Sequence, residues 1–383
     1  MVTLAAMRKI EMVDIRSQYL RLQPDIDSAI AGVLDTAAFI KGPAVKAFRE
    51  ELANYLGVAH VISCANGTDA LQVALMSLNL KPGDEVITTN FTFISTVEVL
   101  VLLGLKPVLV DVDPLTFNID PEQIAEAISP ITKAIIPVHL FGQPADMRRI
   151  REIADNHSLY IIEDNAQSLG AKFTGQDRMP KFAGTIGNIG TTSFFPTKPL
   201  ACYGDGGALI TDDPYLAETM EIIINHGAKV KYHHDLIGVN SRLDTIQAAI
   251  LRVNLKNFDD FIARRRKVAA YYDERLVSNP RIQTPIASET GTHVYHQYTI
   301  QLDPAIRDEV QNKLKVKGIP SIIYYPIPLS LQKAFTFAGY QKGDFPVSER
   351  LCKSVLSLPI HTEMDVEQMD YICTNLLNII DHE

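Results

Sequence analysis

The sequence predicts an α/β protein, with a mostly parallel central sheet flanked by helices and a smaller C-terminal α+β domain. Between His60 and Thr211, short runs of β-branched residues alternate with stretches of helical periodicity, the pattern of parallel strands joined by crossover helices. The length of 383 residues exceeds the usual size of a single core. The expected division is a large domain over residues 1–255, including an N-terminal segment, and a small one over 256–383.

Strands are expected near His60–Ala65, Glu85–Thr89, Pro107–Val112, Ala134–His139 and Leu159–Glu163. The helices between them open on capping signals: Thr68 and Asp69 before Leu71, Asp120-Pro121 before Glu122, and Asp146 before Met147. Beyond Glu163 the pattern changes. Thr191–Phe195 and Ala208–Thr211 read as strands joined by a glycine-rich turn, so one member of the sheet is expected to run antiparallel. From Arg242 to about Leu276 no Pro or Gly interrupts the helical pattern, which predicts one long helix, kinked at most, leading into the second domain. There, strands are expected at Tyr295–Leu302 and Pro320–Tyr325, and helices at Glu309–Val316, Val347–Val355 and Val366–Ile380.

With 46% apolar and 21% charged residues the chain has the composition of a globular protein and not of a disordered one. A net charge of −9 argues against a general nucleic-acid binder, which needs a Lys/Arg excess to neutralise phosphates. The cysteines Cys64, Cys202, Cys352 and Cys373 form no C-x-x-C pair and no metal-spaced cluster, as expected of reduced thiols in a metal-free cytoplasmic protein. Met1–Arg8 lacks the apolar stretch of a signal peptide, so no export is expected, and Met7 offers an alternative start. The most apolar run, Val97–Val112, is broken by Glu98, Lys106, Pro107 and Asp111 and reads as helix, turn and strand, with no membrane span.

Three segments carry chemistry. In Ser193-Phe-Phe-Pro-Thr-Lys198-Pro-Leu-Ala-Cys-Tyr-Gly-Asp-Gly-Gly, a lysine sits between two prolines, just past a strand and ahead of Gly204, Gly206 and Gly207. An amine confined in this way can form a Schiff base once desolvation leaves part of it neutral; the bland reading is a solvated loop lysine. In Ser63-Cys-Ala-Asn-Gly67-Thr68-Asp69, a strand ends where a helix begins, so free N–H groups and the positive helix end could receive a phosphate, or the residues could serve only as caps. In Ile161-Ile-Glu-Asp164-Asn-Ala-Gln167, an acid at the carboxyl end of a strand points into the crevice where open α/β sheets bind ligands. Glu163 is the neighbouring alternative, but side chains alternate along a strand, so only one of the two faces the crevice. Phe93, after another strand, adds an aromatic that could equally be core. Together, a Schiff-base lysine, an acid for a pyridine nitrogen, a phosphate-binding helix start and an aromatic are the groups that pyridoxal 5'-phosphate asks for.

At these residues the chain resembles the DegT/DnrJ/StrS nucleotide-sugar aminotransferases, a family with the fold-type-I pyridoxal-phosphate architecture, from about Ile15 to the C-terminal helix. The resemblance implies that Lys198 carries the cofactor and shuttles the proton, that Asp164 lies at the pyridine nitrogen and that Gln167 lies near the phenolic oxygen. It also implies that Gly67, Thr68 and Ser193 hold the phosphate and that Phe93 stacks on the ring. In Gly238-Val-Asn240-Ser-Arg242, Asn240 matches the asparagine that reaches the neighbouring subunit's phosphate, which implies a homodimer with shared sites; read by itself, Asn240 is an N-cap for the long helix. L-glutamate is the implied amino donor and a nucleotide-linked keto-sugar the acceptor.

Within the family the likeness is strongest to the bacterial UDP-2-acetamido-3-keto-hexuluronate aminotransferases of surface polysaccharide biosynthesis, carried by Phe194-Phe-Pro-Thr-Lys-Pro-Leu, Cys202-Tyr-Gly-Asp-Gly-Gly, Tyr232-His-His and Tyr325-Pro-Ile-Pro. Lys229, Lys231, His233 and His234 form a candidate basic patch for a uronate or diphosphate, and Tyr324 and Tyr325 candidate sugar contacts. Three departures stand out: Tyr324 where histidine is frequent, Ala201 where glycine is usual, and Asn165 where alanine is usual. The first touches the sugar pocket and leaves a 4-keto-6-deoxy sugar as an alternative substrate. Related dehydratases carry histidine in place of the lysine, against Lys198 here, and a non-catalytic sensory binder is the rival of another class. A nicotinamide dehydrogenase needs a G-x-G-x-x-G turn that Ala65-Asn-Gly-Thr-Asp does not supply.

Overall fold

The computed structural model describes residues 8–175 and 179–382; the N-terminal stretch read for an export signal falls, up to Met7, outside them. Two helices that the alternating pattern does not announce come first, α1 (Ile15–Thr36) and α2 (Pro43–Leu56). The series then runs β1 (His60–Cys64), α3 (Gly67–Ser77), β2 (Glu85–Thr89), α4 (Ser95–Leu102), β3 (Lys106–Val110), α5 (Pro121–Ala127), β4 (Thr132–Ile136), α6 (Met147–His157) and β5 (Tyr160–Asp164). A short pair, β6 (Lys172–Thr174) and β7 (Pro180–Phe182), precedes β8 (Ile189–Ser193), β9 (Gly207–Thr211) and α7 (Pro214–Ile223). A hairpin, β10 (Ala228–Val230) with β11 (His233–His234), leads to α8 (Thr245–Lys256) and α9 (Phe258–Leu276). The last part holds β12 (Tyr298–Gln301), α10 (Arg307–Val316), α11 (Pro346–Ser354), β13 (Val355–Leu358) and α12 (Val366–Asp381).

The central sheet has the order β1-β9-β8-β5-β4-β2-β3. All its strands are parallel except β9, which runs antiparallel to β1 and β8. This is the expected mostly parallel sheet with one reversed member. Burial follows the period of 2 along each strand. Val86, Ile136 and Ile162 join the core under α3, α4 and α7, while their neighbours Ile87, Ile135 and Ile161 join the core under α5 and α6. A separate apolar cluster, including Tyr272, Tyr298, Leu314, Leu356 and Ile372, packs β12 and β13 against α9, α10 and α12. Among the described residues, no helix is long and apolar enough to cross a membrane.

Three expectations need correction. The long helix from Arg242 is two helices: Asn257 leaves helical geometry at φ −104°, ψ 5°, and its side chain donates to the Val253 carbonyl at 2.9 Å, a local bond that competes with helix continuation. Pro320–Tyr325 is not a strand but a single bridge, Ile322 to Ser357, since Pro320 has no N–H to donate and the chain turns away at Pro326. The helix expected at Val347–Val355 is α11, and β13 starts at Val355 with no intervening loop.

Candidate active site

A cavity of about 690 Å³ opens at the carboxyl ends of the parallel strands, the usual ligand crevice of such sheets. Gly67, Thr68, Phe93, Asp164, Gln167, Ser193 and Lys198 all line it, as do Tyr324 and Tyr325. They come from several different strand ends and loops, so the sheet has assembled what the sequence scatters over 250 positions and more.

The phosphate-type end is built by β1, α3 and β8. Asn66 caps α3, its Oδ1 accepting the Asp69 N–H at 2.8 Å and its carbonyl accepting from Ala70 at 3.1 Å. The N–H groups of Gly67 and Thr68 then remain without intrahelical partners, at the positive end of the helix. Gly67 is required by packing: a Cβ there would lie 2.7 Å from Ser193 Cβ. Ser193 Oγ accepts from the Phe195 N–H at 3.3 Å, which leaves its own proton for a ligand.

The two acids at the end of β5 part company. Glu163 is fully buried on the far face, where His139 Nε2 (2.8 Å) and the N–H groups of Gly184 (2.8 Å), Ile186 (2.6 Å) and Gly187 (2.6 Å) all meet its carboxylate. The Ala145 N–H donates to His139 Nδ1 at 3.1 Å, which leaves Nε2 as the ring nitrogen that donates to the glutamate. Burial alone would push the Glu163 carboxyl up; the His139 bond and the N–H donors outweigh it and hold the carboxyl below the usual range. Asp164 faces the cavity, its Oδ2 accepting from Thr96 Oγ1 at 2.8 Å and its Oδ1 from the Ala166 N–H at 3.2 Å.

Lys198 sits on a loop tied by three backbone bonds of 2.8 Å: Phe194 to the Gly206 carbonyl, Lys198 to that of Phe195, and Cys202 to that of Phe194. Desolvation pushes its ammonium down to about 8, against the opposing pull of the Asp164 charge. Gln167 Oε1 accepts from the Phe141 N–H at 2.8 Å, and Nε2 donates to the Tyr325 hydroxyl at 3.1 Å. An amide nitrogen carries two N–H groups, so one remains to be used. Phe93 is 55% exposed at the cavity, as an aromatic held for a ligand and not for the core. The donor set therefore fits a phosphorylated pyridine aldehyde: an amine for the aldehyde, a carboxylate for the ring nitrogen, and an N–H cradle with a hydroxyl for the phosphate.

Other named residues lie elsewhere. Lys229, Lys231, His233 and His234 are on the exposed β10–β11 hairpin and line no part of their own chain's cavity. Lys229 pairs with Glu218, Lys231 lies 5.1 Å over the Tyr232 ring, and His234 Nδ1 donates to the His226 carbonyl at 2.8 Å. Asn240 is exposed and bridges Asn225; Asp244, without a side-chain capping bond, stands at the N-cap position of α8, so the N-cap reading of Asn240 is wrong. Of the departures, Asn165 turns from the cavity to donate to the Ala183 carbonyl at 2.7 Å, and Ala201 is buried with its carbonyl taking Asn254 Nδ2 at 2.8 Å. The sequence gives no hint of His296, which lines the cavity from the C-terminal part. Its Nδ1 has no hydrogen-bond partner, and burial, then Lys198 and Arg265, keep the ring neutral.

The model of the DegT/DnrJ/EryC1/StrS aminotransferase family matches residues 21–377. The chain belongs to this family. The UDP-2-acetamido-2-deoxy-3-oxo-D-glucuronate aminotransferase of Pseudomonas aeruginosa is 46% identical over 369 residues, 96% of this chain and 100% of that protein. A pleiotropic regulatory protein of Geobacillus stearothermophilus is 45% identical over 375 residues, 97% and 99% of the two chains. The structure of S. venezuelae DesV in complex with a ketimine intermediate aligns with a TM-score of 0.93 at 37% identity, over 97% of this chain and 98% of that one. Members of the DegT/DnrJ/EryC1/StrS family depend on pyridoxal phosphate, and the fold described above is theirs.

The buried anion makes a measurable demand. Because the folded carboxyl of Glu163 titrates below its unfolded value of about 4.3, its contribution is fully present above that pH and is lost as pH falls through the lower folded value. Glu163→Gln, which sets an NH2 against N–H donors, is expected to cost about 2–4 kcal/mol in urea unfolding at pH 7. The gap from wild type narrows in acid, below about pH 4; a gap independent of pH refutes the ionised assignment.

Proposed function

We propose that this chain is a pyridoxal-phosphate-dependent aminotransferase that moves an amino group from L-glutamate to a nucleotide-linked keto-sugar, UDP-2-acetamido-3-keto-hexuluronate or a similar UDP-3-keto sugar, for surface polysaccharide synthesis. One observation carries the reading: the Lys198 amine, brought down to about 8, shares a cavity with Asp164 and the open start of α3. The sugar rests on the activity of the Pseudomonas relative, together with Tyr324 and Tyr325 in the cavity wall.

Bound pyridoxal phosphate supplies an electron sink for the charge left when a proton leaves the donor's α-carbon. The residues do the rest. Gly67, Thr68 and Ser193 would hold the phosphate, Phe93 would stack on the ring, and the spare N–H of Gln167 would meet the phenolic oxygen. Asp164 would face the ring nitrogen and favour its protonated, electron-poor form. Lys198 Nζ would hold the aldehyde and, as a free amine, would be the group that accepts and returns the proton taken from the donor's α-carbon.

The cavity has the wrong charge to act alone. It is walled by Asp69, Asp164 and Asp205 against one lysine, whereas its ligands carry a phosphate and a diphosphate. The exposed hairpin cations Lys229 and Lys231, with His233, His234 and Asn240, suit the cavity of a second copy. This supports a homodimer with shared sites.

At pH 7 about one Lys198 amine in ten is neutral, against about three in ten thousand for an ordinary lysine. Capture of added pyridoxal phosphate, followed by its absorbance, therefore accelerates with pH up to about 8 and then levels. Lys198→Ala captures none, and a protein that stays colourless favours the non-catalytic binder. Supplied with UDP-linked amino-sugars and 2-oxoglutarate, the enzyme makes glutamate only from a 3-amino UDP-sugar; turnover of a 4-amino-6-deoxy sugar instead moves the assignment to that class. Mixing Lys198→Ala with Asn240→Asp protomers restores about a quarter of wild-type turnover, the share for random assembly of a two-fold dimer. A mixture as inactive as its parents excludes shared sites.

A further inference from the structure

We propose that Thr96 is a positioning residue for the cofactor, acting through Asp164: its hydroxyl fixes the carboxylate in the orientation that meets the ring nitrogen. The inference rests on the functional reading above and extends it to a residue that touches no ligand.

Thr96 lies in the first turn of α4, is 0% exposed, and forms no part of the cavity wall, although its neighbours Thr92, Phe93 and Ser95 do. A threonine in a helix commonly turns its hydroxyl back onto a carbonyl one turn earlier. Here the hydroxyl goes to Asp164 Oδ2 at 2.8 Å, across 68 residues of sequence. A hydroxyl has one proton, and giving it to one carboxylate oxygen fixes the rotation of that group.

The backbone at Asp164 is already held. Its N–H donates to the Pro137 carbonyl at 2.9 Å, its carbonyl accepts from His139 N–H at 3.0 Å, and the adjacent Glu163 is tied by four donors. None of these bonds sets the rotation of the Asp164 side chain. The Ala166 N–H reaches Oδ1 only at 3.2 Å, which leaves Thr96 as the short side-chain contact that does. An ionised carboxylate has about four acceptor positions, so two donors still leave room for a ring N–H. Phe93 and Thr96 lie three residues apart at the start of α4, so one short segment sets both the ring contact and the aim of the carboxylate.

The test compares two ligands on the whole cofactor-depleted protein: pyridoxal phosphate and its 1-deaza analogue, which has carbon in place of the ring nitrogen. Thr96→Val raises the dissociation constant for pyridoxal phosphate about tenfold, the low end for a hydrogen bond to a charged group. It leaves that for the deaza analogue unchanged, because the brace acts only through the ring nitrogen. Thr96→Ser restores wild-type affinity, Thr96→Ala repeats the valine result, and melting of the cofactor-free protein identifies a folding defect in either variant. Wild-type protein that binds both ligands, while Thr96→Val loses both equally or neither, overturns the inference alone. Wild-type protein that binds neither overturns the functional reading and the inference with it.

Discussion

Glu163 is an anion in the protein interior, met by one imidazole N–H and three backbone N–H groups within 2.8 Å. An isolated buried carboxylate would neutralise itself or unfold the chain around it, so this bond set must form for the fold to be stable. It also dictates geometry. His139 follows β4, Glu163 ends β5, and residues 184–187 lead into β8, so one carboxylate pins the ends of three neighbouring strands. Gly190, opposite Glu163 on β8, lets the loop lie close; a Cβ there would meet the Gly184 carbonyl at 1.9 Å. With Glu163 committed to one face, strand alternation leaves Asp164 only the other, toward the cavity.

The parts of the site that the sequence displays are those where strand ends and chemistry coincide. Asp164 and Ser193 end recognisable strands, and Gly67, Phe93 and Lys198 follow theirs by a few residues, so finding the strands finds them. What stays hidden depends on contacts between distant segments. Thr96 reaches Asp164 over 68 positions and His139 reaches Glu163 over 24, and no local pattern encodes either. His296 reads as the edge of an alternating run, and its place at the cavity follows from Arg265, whose buried guanidinium donates to the carbonyls of Tyr295 (3.1 Å) and His296 (3.4 Å). The errors in the fold have both local and long-range causes. Helix propensity over Arg242–Leu276 is continuous, but one side-chain bond at Asn257 outweighs it, because propensity is worth only tenths of a kcal/mol per residue. The expected strand Pro320–Tyr325 finds a single pairing position, since Tyr324 and Tyr325 are drawn to the cavity wall.

The same separation explains the basic patch. A cluster of lysines and histidines ahead of Asn240 looks like a ligand site, yet in its own chain it stands on an exposed hairpin and pairs with Glu218 and Tyr232. Sequence shows that cations are concentrated there; only topology shows that they are remote from their own Lys198. A cavity short of positive charge and a charged hairpin short of a cavity are complementary, and the proposed homodimer is the arrangement that would join them.

Lys198 and Asp164 make opposing demands. The amine must be partly neutral to attack a carbonyl, while the carboxylate must be charged to hold a proton on a ring nitrogen, and each charge stabilises the other. If proximity decided the matter, Asp164 would keep Lys198 protonated and unreactive. Desolvation decides it instead: enclosure of the amine is the larger effect and brings it to about 8 despite the nearby carboxylate. Asp164 is supported separately, by the Thr96 hydroxyl and the Ala166 N–H, donors that add no positive charge. Neutral hydrogen bonds can hold the carboxylate in place without a counter-ion that would compete with a ring N–H for it. Amine and acid thus share one cavity, each with a different physical support.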